Sequence, residues 1–190
     1  METAARKPRA DSQRNREKLL EAAKAGFAEG GTDVSLEEIA RRAGVGIGTL
    51  YRHFPTRDAL VEAVYRREVE QLGEAARRLS ASETPAKALH EWMRLFVDYI
   101  AAKKVVAPAL TALTGGPSAI YAASGMTITE ATGLLVDRAR EAGEIRADTT
   151  MDDVLRALVG FSYGYERPDW RESALRLVDV LMAGLKTADS

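Results

Sequence analysis

The stretch from Ser35 to Pro55 constrains this chain more than any other. Ser35-Leu36-Glu37-Glu38 has the form of a capping box, in which the serine hydroxyl takes an orphan N–H of the first helical turn while Glu38 reaches back. Leu36, Ile39, Ala40 and Ala43 follow as one apolar stripe about two turns long. Gly44-Val45-Gly46 interrupts the stripe. A very short helix is then predicted from Ile47 to about Phe54, with Leu50 and Phe54 inward and Pro55 as its stop. Two short helices joined by a three-residue glycine turn form a helix-turn-helix.

Elsewhere apolar residues recur at three- and four-residue spacing between Gly, Pro and Ser/Thr breaks, and nothing alternates as a strand does. The fold class is therefore all-α. A flexible basic arm is predicted over 1–13, ahead of a helix with Leu20, Ala23 and Phe27 that stops at Gly30-Gly31. Thr56 can cap a long helix bearing Leu60, Val64, Tyr65, Leu72, Ala76 and Leu79, whose length suits a connector over 58–80.

Beyond Ser80 the helices become longer and more apolar, the mark of a second domain over 81–190. Thr84-Pro85 opens one with Leu89, Trp92, Met93, Phe96 and Ile100 on one side. A broken stretch through Ala107-Pro108 leads to Gly115-Gly116-Pro117, and a further helix runs to Gly143. Thr150-Met151-Asp152-Asp153 is a second capping-box-like start. The last helix, from about Asp169 to Lys186, is apolar on more than one side, which in a soluble protein calls for a second subunit. The faces predicted to pair carry Leu155 and Leu158 on one helix and Leu177, Val180 and Leu181 on the last.

Residues 35–60, SLEEIARRAGVGIGTLYRHFPTRDAL, resemble the N-terminal DNA-binding domain of the TetR family of transcriptional regulators. The capped second helix, the Ala-Gly-Val turn, the Gly-Thr-Leu-Tyr-Arg-His-Phe segment and Arg57-Asp58-Ala59-Leu60 all fall at that family's spacing, with Phe27 and Gly30 where its first helix ends. The resemblance implies a three-helix DNA-binding domain over 14–57 ahead of a larger α-helical ligand-binding and dimerisation domain. It implies backbone contacts from Thr49, Tyr51, His53 and Arg57, and positions against the bases for Gly46, Ile47, Gly48 and Arg52.

The residues alone support the same surface. Small Gly46 and Gly48 let a backbone approach base edges, Arg52 can reach a guanine edge, and hydroxyl, imidazole and guanidinium donors suit phosphates. The alternative for Tyr51 is half-buried packing, and for His53 a surface position before the helix stop. Polar base readers are few, so further contributions are expected from Ser35, Glu37 and Arg41 on the second helix, from DNA shape, and from Arg6, Lys7 and Arg9 in the minor groove. The arm reads equally well as a solvated tail.

In the second domain Trp92, Phe96, Tyr99, Tyr121, Met126, Phe161 and Tyr165 are candidates to line an effector pocket, or simply core, with His90, Thr111 and Thr114 as possible polar contacts. The family's second domain is diverse, so the resemblance names no ligand.

Charge would mislead if counted over the whole chain, whose 27 Lys and Arg against 28 Asp and Glu leave a net −1. Residues 1–57 hold 11 cations and 8 anions, while residues 58–190 hold 16 and 20, an asymmetry that points the N-terminal segment at an anion. The chain has no cysteine and only two histidines, His53 and His90. Thiolate sites, disulfides and cysteine nucleophiles are excluded, and neither a metal site, a cofactor nor a catalytic constellation is expected. Asp152-Asp153 could be called paired carboxylates, but capping and the helix dipole explain them. No signal-like or membrane-spanning stretch is read, and a cytoplasmic location follows as an expectation.

The resulting reading is a regulator, a repressor more readily than an activator, acting as a homodimer on a double-stranded DNA operator and answering to a small-molecule effector. The competing reading is an all-α small-molecule enzyme or binding module whose helix-turn-helix is only structural.

Overall fold

A computed structural model describes residues 6–112, 118–161 and 168–187. These form eight α-helices: α1 (Arg6–Gly30), α2 (Leu36–Ala43), α3 (Ile47–His53), α4 (Arg57–Ser82), α5 (Pro85–Ala112), α6 (Ser118–Glu141), α7 (Met151–Phe161) and α8 (Trp170–Leu185). The sole pairing of strand type among the described residues is an isolated antiparallel bridge between Ile145 and Lys186. The chain divides into two compact units, residues 1–67 with 102–117 and residues 68–101 with 118–190.

The first unit is built around α1, α2 and α3. Leu19, Leu20, Ala23 and Phe27 of α1, Ile39 of α2, Leu50 of α3 and Leu60 and Tyr65 of α4 are sealed from solvent. These are the apolar positions of the sequence stripes, and their burial orients the short helices that could not persist alone. Polar clamps surround them. Arg57 donates to the Val34 carbonyl at 2.7 Å, Arg67 to the Glu17 carbonyl at 3.2 Å, and the Arg16 guanidinium lies 5.5 Å from the centre of the Phe54 ring.

Ser35 caps α2 as the sequence predicts, its hydroxyl accepting the Glu38 N–H at 3.1 Å. Glu38, however, does not reach back to Ser35; its carboxylate binds Arg41 and Arg42 instead. Two guanidiniums on the next turn outcompete one backbone N–H because the hydrogen bonds are ionic at both ends. Gly44 ends α2 at φ +67°, and the following Val45 N–H closes on the Ala40 carbonyl at 3.0 Å. A side chain at a left-handed position costs about 1–2 kcal/mol. Gly44→Ala is therefore expected to lower stability by about 1 kcal/mol, read as a reduced urea midpoint with an unchanged slope.

Two further differences concern element ends. Helix α1 begins at Arg6, inside the stretch expected to be an arm, whose many Arg, Lys, Glu and Ala residues are all compatible with helix. Helix α5 continues through Ala107-Pro108 to Ala112, where the sequence suggested a break, and Val106 and Leu110 beside the proline are buried. Tertiary burial offsets the hydrogen bond that Pro108 cannot make.

In the second unit the core comprises Leu89, Trp92, Met93 and Phe96 of α5, Leu135 and Val136 of α6, Val154 and Leu158 of α7, and Ala174, Val178 and Met182 of α8. The buried Trp92 indole donates to the Leu72 carbonyl of α4 at 3.0 Å, and the Trp170 indole to the Phe161 carbonyl at 2.7 Å. Helix α5 starts at Pro85, and its Ala86 N–H, an orphan donor, is taken by the Glu144 carboxylate at 2.7 Å. Thr150 and Asp153 make a reciprocal capping box, with N–H to side-chain distances of 3.0 and 3.1 Å. Hydrogen bonds from Thr150 hold the Asp153 carboxyl below its usual range, which accounts for that residue structurally.

Candidate nucleic-acid interface

Burying Leu50 turns the opposite side of α3 outward. Ile47 and Tyr51 are exposed at 37% and 46%, Gly46, Gly48 and Arg52 are exposed, and Thr49 and His53 are half-buried. On α2 the same logic leaves Ser35, Glu37 and Arg41 exposed once Leu36, Ile39, Ala40 and Ala43 face inward. The predicted face is thus brought together by two helices and one tight turn.

The two glycines are informative. A Cβ built at Gly46 or Gly48 would meet nothing within 4 Å, and neither residue has a positive φ. Gly46 is a tolerable N-cap, but Gly48 inside a seven-residue helix costs about 1 kcal/mol relative to alanine. Among the described residues no contact requires a glycine at either position.

The cations are held rather than loose. Arg52 folds along its own helix, donating to the Gly48 carbonyl and the Thr49 hydroxyl, each at 3.2 Å. Arg41 makes a two-pronged contact with Glu38 at 2.7 and 2.8 Å, and Arg42 bonds Glu38 at 2.8 Å and Glu29 of α1 at 2.7 Å. Hydrogen bonds from Arg41 and then Arg42 lower the Glu38 carboxyl to about 2, so it stays ionised at any pH suited to a DNA-binding assay. Arg57 is half-buried, and its bond to Val34 ties the start of α4 to the loop before α2. Neither the Glu38 network nor the contact of Arg16 with Phe54 was among the sequence expectations. The first was legible as a Glu followed by Arg at three and four residues; the second, across 38 positions of chain, was not. The side chains of Arg6, Lys7 and Arg9 lie outside the described residues.

This face belongs to a chain whose residues 19–64 match the family described as "Bacterial regulatory proteins, tetR family", and whose residues 84–187 match "Transcriptional regulator SbtR-like, C-terminal domain". The chain belongs to the TetR family. A crystal structure of the TetR transcriptional regulator SCO0520 from Streptomyces coelicolor is 46% identical, covers 91% of this chain and 99% of that one, and superposes with a TM-score of 0.81. The Escherichia coli HTH-type transcriptional regulator UidR is 28% identical over 172 residues, 81% of each chain. Likeness to the Staphylococcus aureus HTH-type regulator SAR0097 is 37% but confined to 75 residues, 38% of this chain and 39% of that protein. The TetR-family chain is a transcriptional regulator with a DNA-binding helix-turn-helix. Among the described residues no group of three metal-ligating side chains gathers, and no helix is long and apolar enough to cross a membrane.

In the second unit the described pocket candidates differ in burial. Trp92, Phe96 and Tyr99 are buried and stack in a row, with ring centres 5.7 and 5.5 Å apart. Phe161 is half-buried. Met126 is 66% exposed, while Ala131 and Leu135 of the same helix turn inward. The side chain of Tyr121, together with Tyr165, Thr111 and Thr114, lies outside the described residues. A cavity of about 850 Å³ is lined by Thr84, Lys87, His90, Glu144, Met182 and Lys186 among others. Of the sequence candidates it includes only His90, whose ring nitrogen lies 2.8 Å from Asp179.

The residues of the expected pairing faces differ in exposure. Leu177 and Val180 of α8 are exposed at 42% and 68%, and Leu181 and Leu155 are half-buried. Leu158 is buried in its own unit, on one stripe with Val154 four residues earlier. Val159, four residues after Leu155, is 49% exposed.

Proposed function

We propose that this TetR-family chain is a repressor that binds a pseudo-palindromic DNA operator as a homodimer in the cytoplasm and is released from it by a small molecule. The observation that carries this reading is the outward face of α3, where Gly46 and Gly48 have open space around them and Tyr51 and Arg52 are exposed. Two such helices related by a two-fold axis enter successive major grooves when about 34–36 Å apart. Exposed Val159, Leu177 and Val180 supply an apolar surface for that axis. The effector acts by preferring a state of the dimer that holds its recognition helices at another separation, and its leverage equals its differential affinity for the two states. Trp92, Phe96 and Tyr99 are the aromatic surface from which the second unit would build such a site.

Gel retardation with the DNA upstream of the protein's own gene tests this directly. Salt-sensitive retention of that fragment over an unrelated one supports the operator reading; no retention favours a binding module in which the helix-turn-helix is structural. Within a positive result, Tyr51→Phe removes only a hydroxyl and is expected to weaken binding by a similar factor across sequences. Arg52→Ala is expected to cost about 1–3 kcal/mol at particular base pairs and to relax preference there. A binding-site selection on the two variants distinguishes the roles, and the reverse pattern would exchange them.

A further inference from the structure

We propose that Glu38 is a specificity-determining positioning residue, which holds Arg41 in one geometry and offsets its charge so that the α2–α3 face favours operator over DNA at large. The inference rests on the reading of that face as the DNA contact. One carboxylate accepts three ionic hydrogen bonds, from Arg41 Nε at 2.8 Å, Arg41 Nη2 at 2.7 Å and Arg42 Nε at 2.8 Å. Arg42 continues to Glu29 on α1 at 2.7 Å, so the chain of charges is anchored to a second helix. The cap of α2 does not depend on it, because Ser35 takes the backbone N–H of residue 38 rather than its side chain.

A two-pronged contact fixes the plane of a guanidinium. It uses two of the five N–H donors of Arg41, and the side chain remains 73% exposed. Arg41 therefore presents its other donors from a fixed position. Binding to arbitrary DNA grows with each phosphate neutralised by a cation. A cation already balanced by Glu38 gains little from a randomly placed phosphate, and the carboxylate repels a poorly placed one. Only a duplex whose backbone meets the outer edge of the guanidinium is compensated for approaching the acid.

The test compares wild type, Glu38→Gln, Arg41→Ala and the double variant on the retained upstream fragment and on a random duplex of equal length, across a salt series. Glu38→Gln is expected to bind random DNA several-fold more tightly, with a salt slope steeper by about one, while affinity for the operator gains less or falls. The specificity ratio then drops. Arg41→Ala alone is expected to change random-DNA affinity little, and in its background the effect of Glu38→Gln should shrink. Equal shifts on both duplexes, or an effect of Glu38→Gln undiminished by loss of Arg41, overturn the inference while operator binding itself stands. A wild-type chain that retains no duplex overturns the DNA-face reading, and this inference with it.

Discussion

Val180→Asp is expected to leave each protomer folded and to convert the dimer into monomers. Val180 is 68% exposed, so in an isolated chain the carboxylate meets water and its effect on stability should stay within about 0.5 kcal/mol. At a two-fold interface the same substitution places two like charges close together in apolar surroundings. Leaving even one buried charge uncompensated costs about 3–5 kcal/mol, enough to raise the dissociation constant by about a hundredfold or more. Neighbouring Leu177 and Leu181 lie three residues before and one after, on the same side of α8, and α7 packs against α8 with Val159 exposed. Sedimentation velocity checks the result, and a sedimentation coefficient that stays dimeric removes this face from the interface. Retention of the upstream fragment should fall with dimerisation, because the second half-site is then no longer linked to the first.

Leu50→Ala is expected to abolish DNA retention by loosening the first unit. Leu50 is sealed from solvent at the centre of α3. Truncating such a leucine costs about 2–5 kcal/mol, depending on how far the surroundings collapse. That is a large share of the about 5–15 kcal/mol by which a domain is stable, and α3 has seven residues and little intrinsic helix stability to spare. Hydrogen exchange is the discriminating measurement: protection should be lost from α1 through α3 and kept in α7 and α8. Uniform loss throughout the chain would show instead that the two units unfold together.

The difference between the helices and the candidate sites shows what a sequence records. Caps and breaks are local, so Ser35, Gly44, Thr56 and the Thr150–Asp153 box all took their expected places, with Thr56 accepting the Ala59 N–H at 3.1 Å. Where two partners competed for one group, the pattern alone did not decide. Glu38 fitted both a capping box and an ion pair, and the doubly charged partner won. Pro108 and the arm were misread in the same way, since local propensity was set against burial in one case and against nothing in the other. The pocket candidates pose a different difficulty. Aromatic and methionine side chains at helical spacing read alike whether they face core, cavity or water, and Met126 and Trp92 lie at the two extremes of exposure.

The short helices around a glycine turn, with an apolar inner stripe and an outer side of Gly46, Ile47, Gly48, Tyr51 and Arg52, were determined by sequence alone. Period and punctuation act within a few residues, where no distant contact can alter them much. Tertiary structure alone decided which of two adjacent leucine and valine positions on α7 is exposed, that a cavity lies beside His90, and that Arg41 is tethered to an acid. Each of these depends on the rotation of one helix against another, or on which of several charged side chains comes within 3 Å. Such distances are fixed only once the whole core has packed.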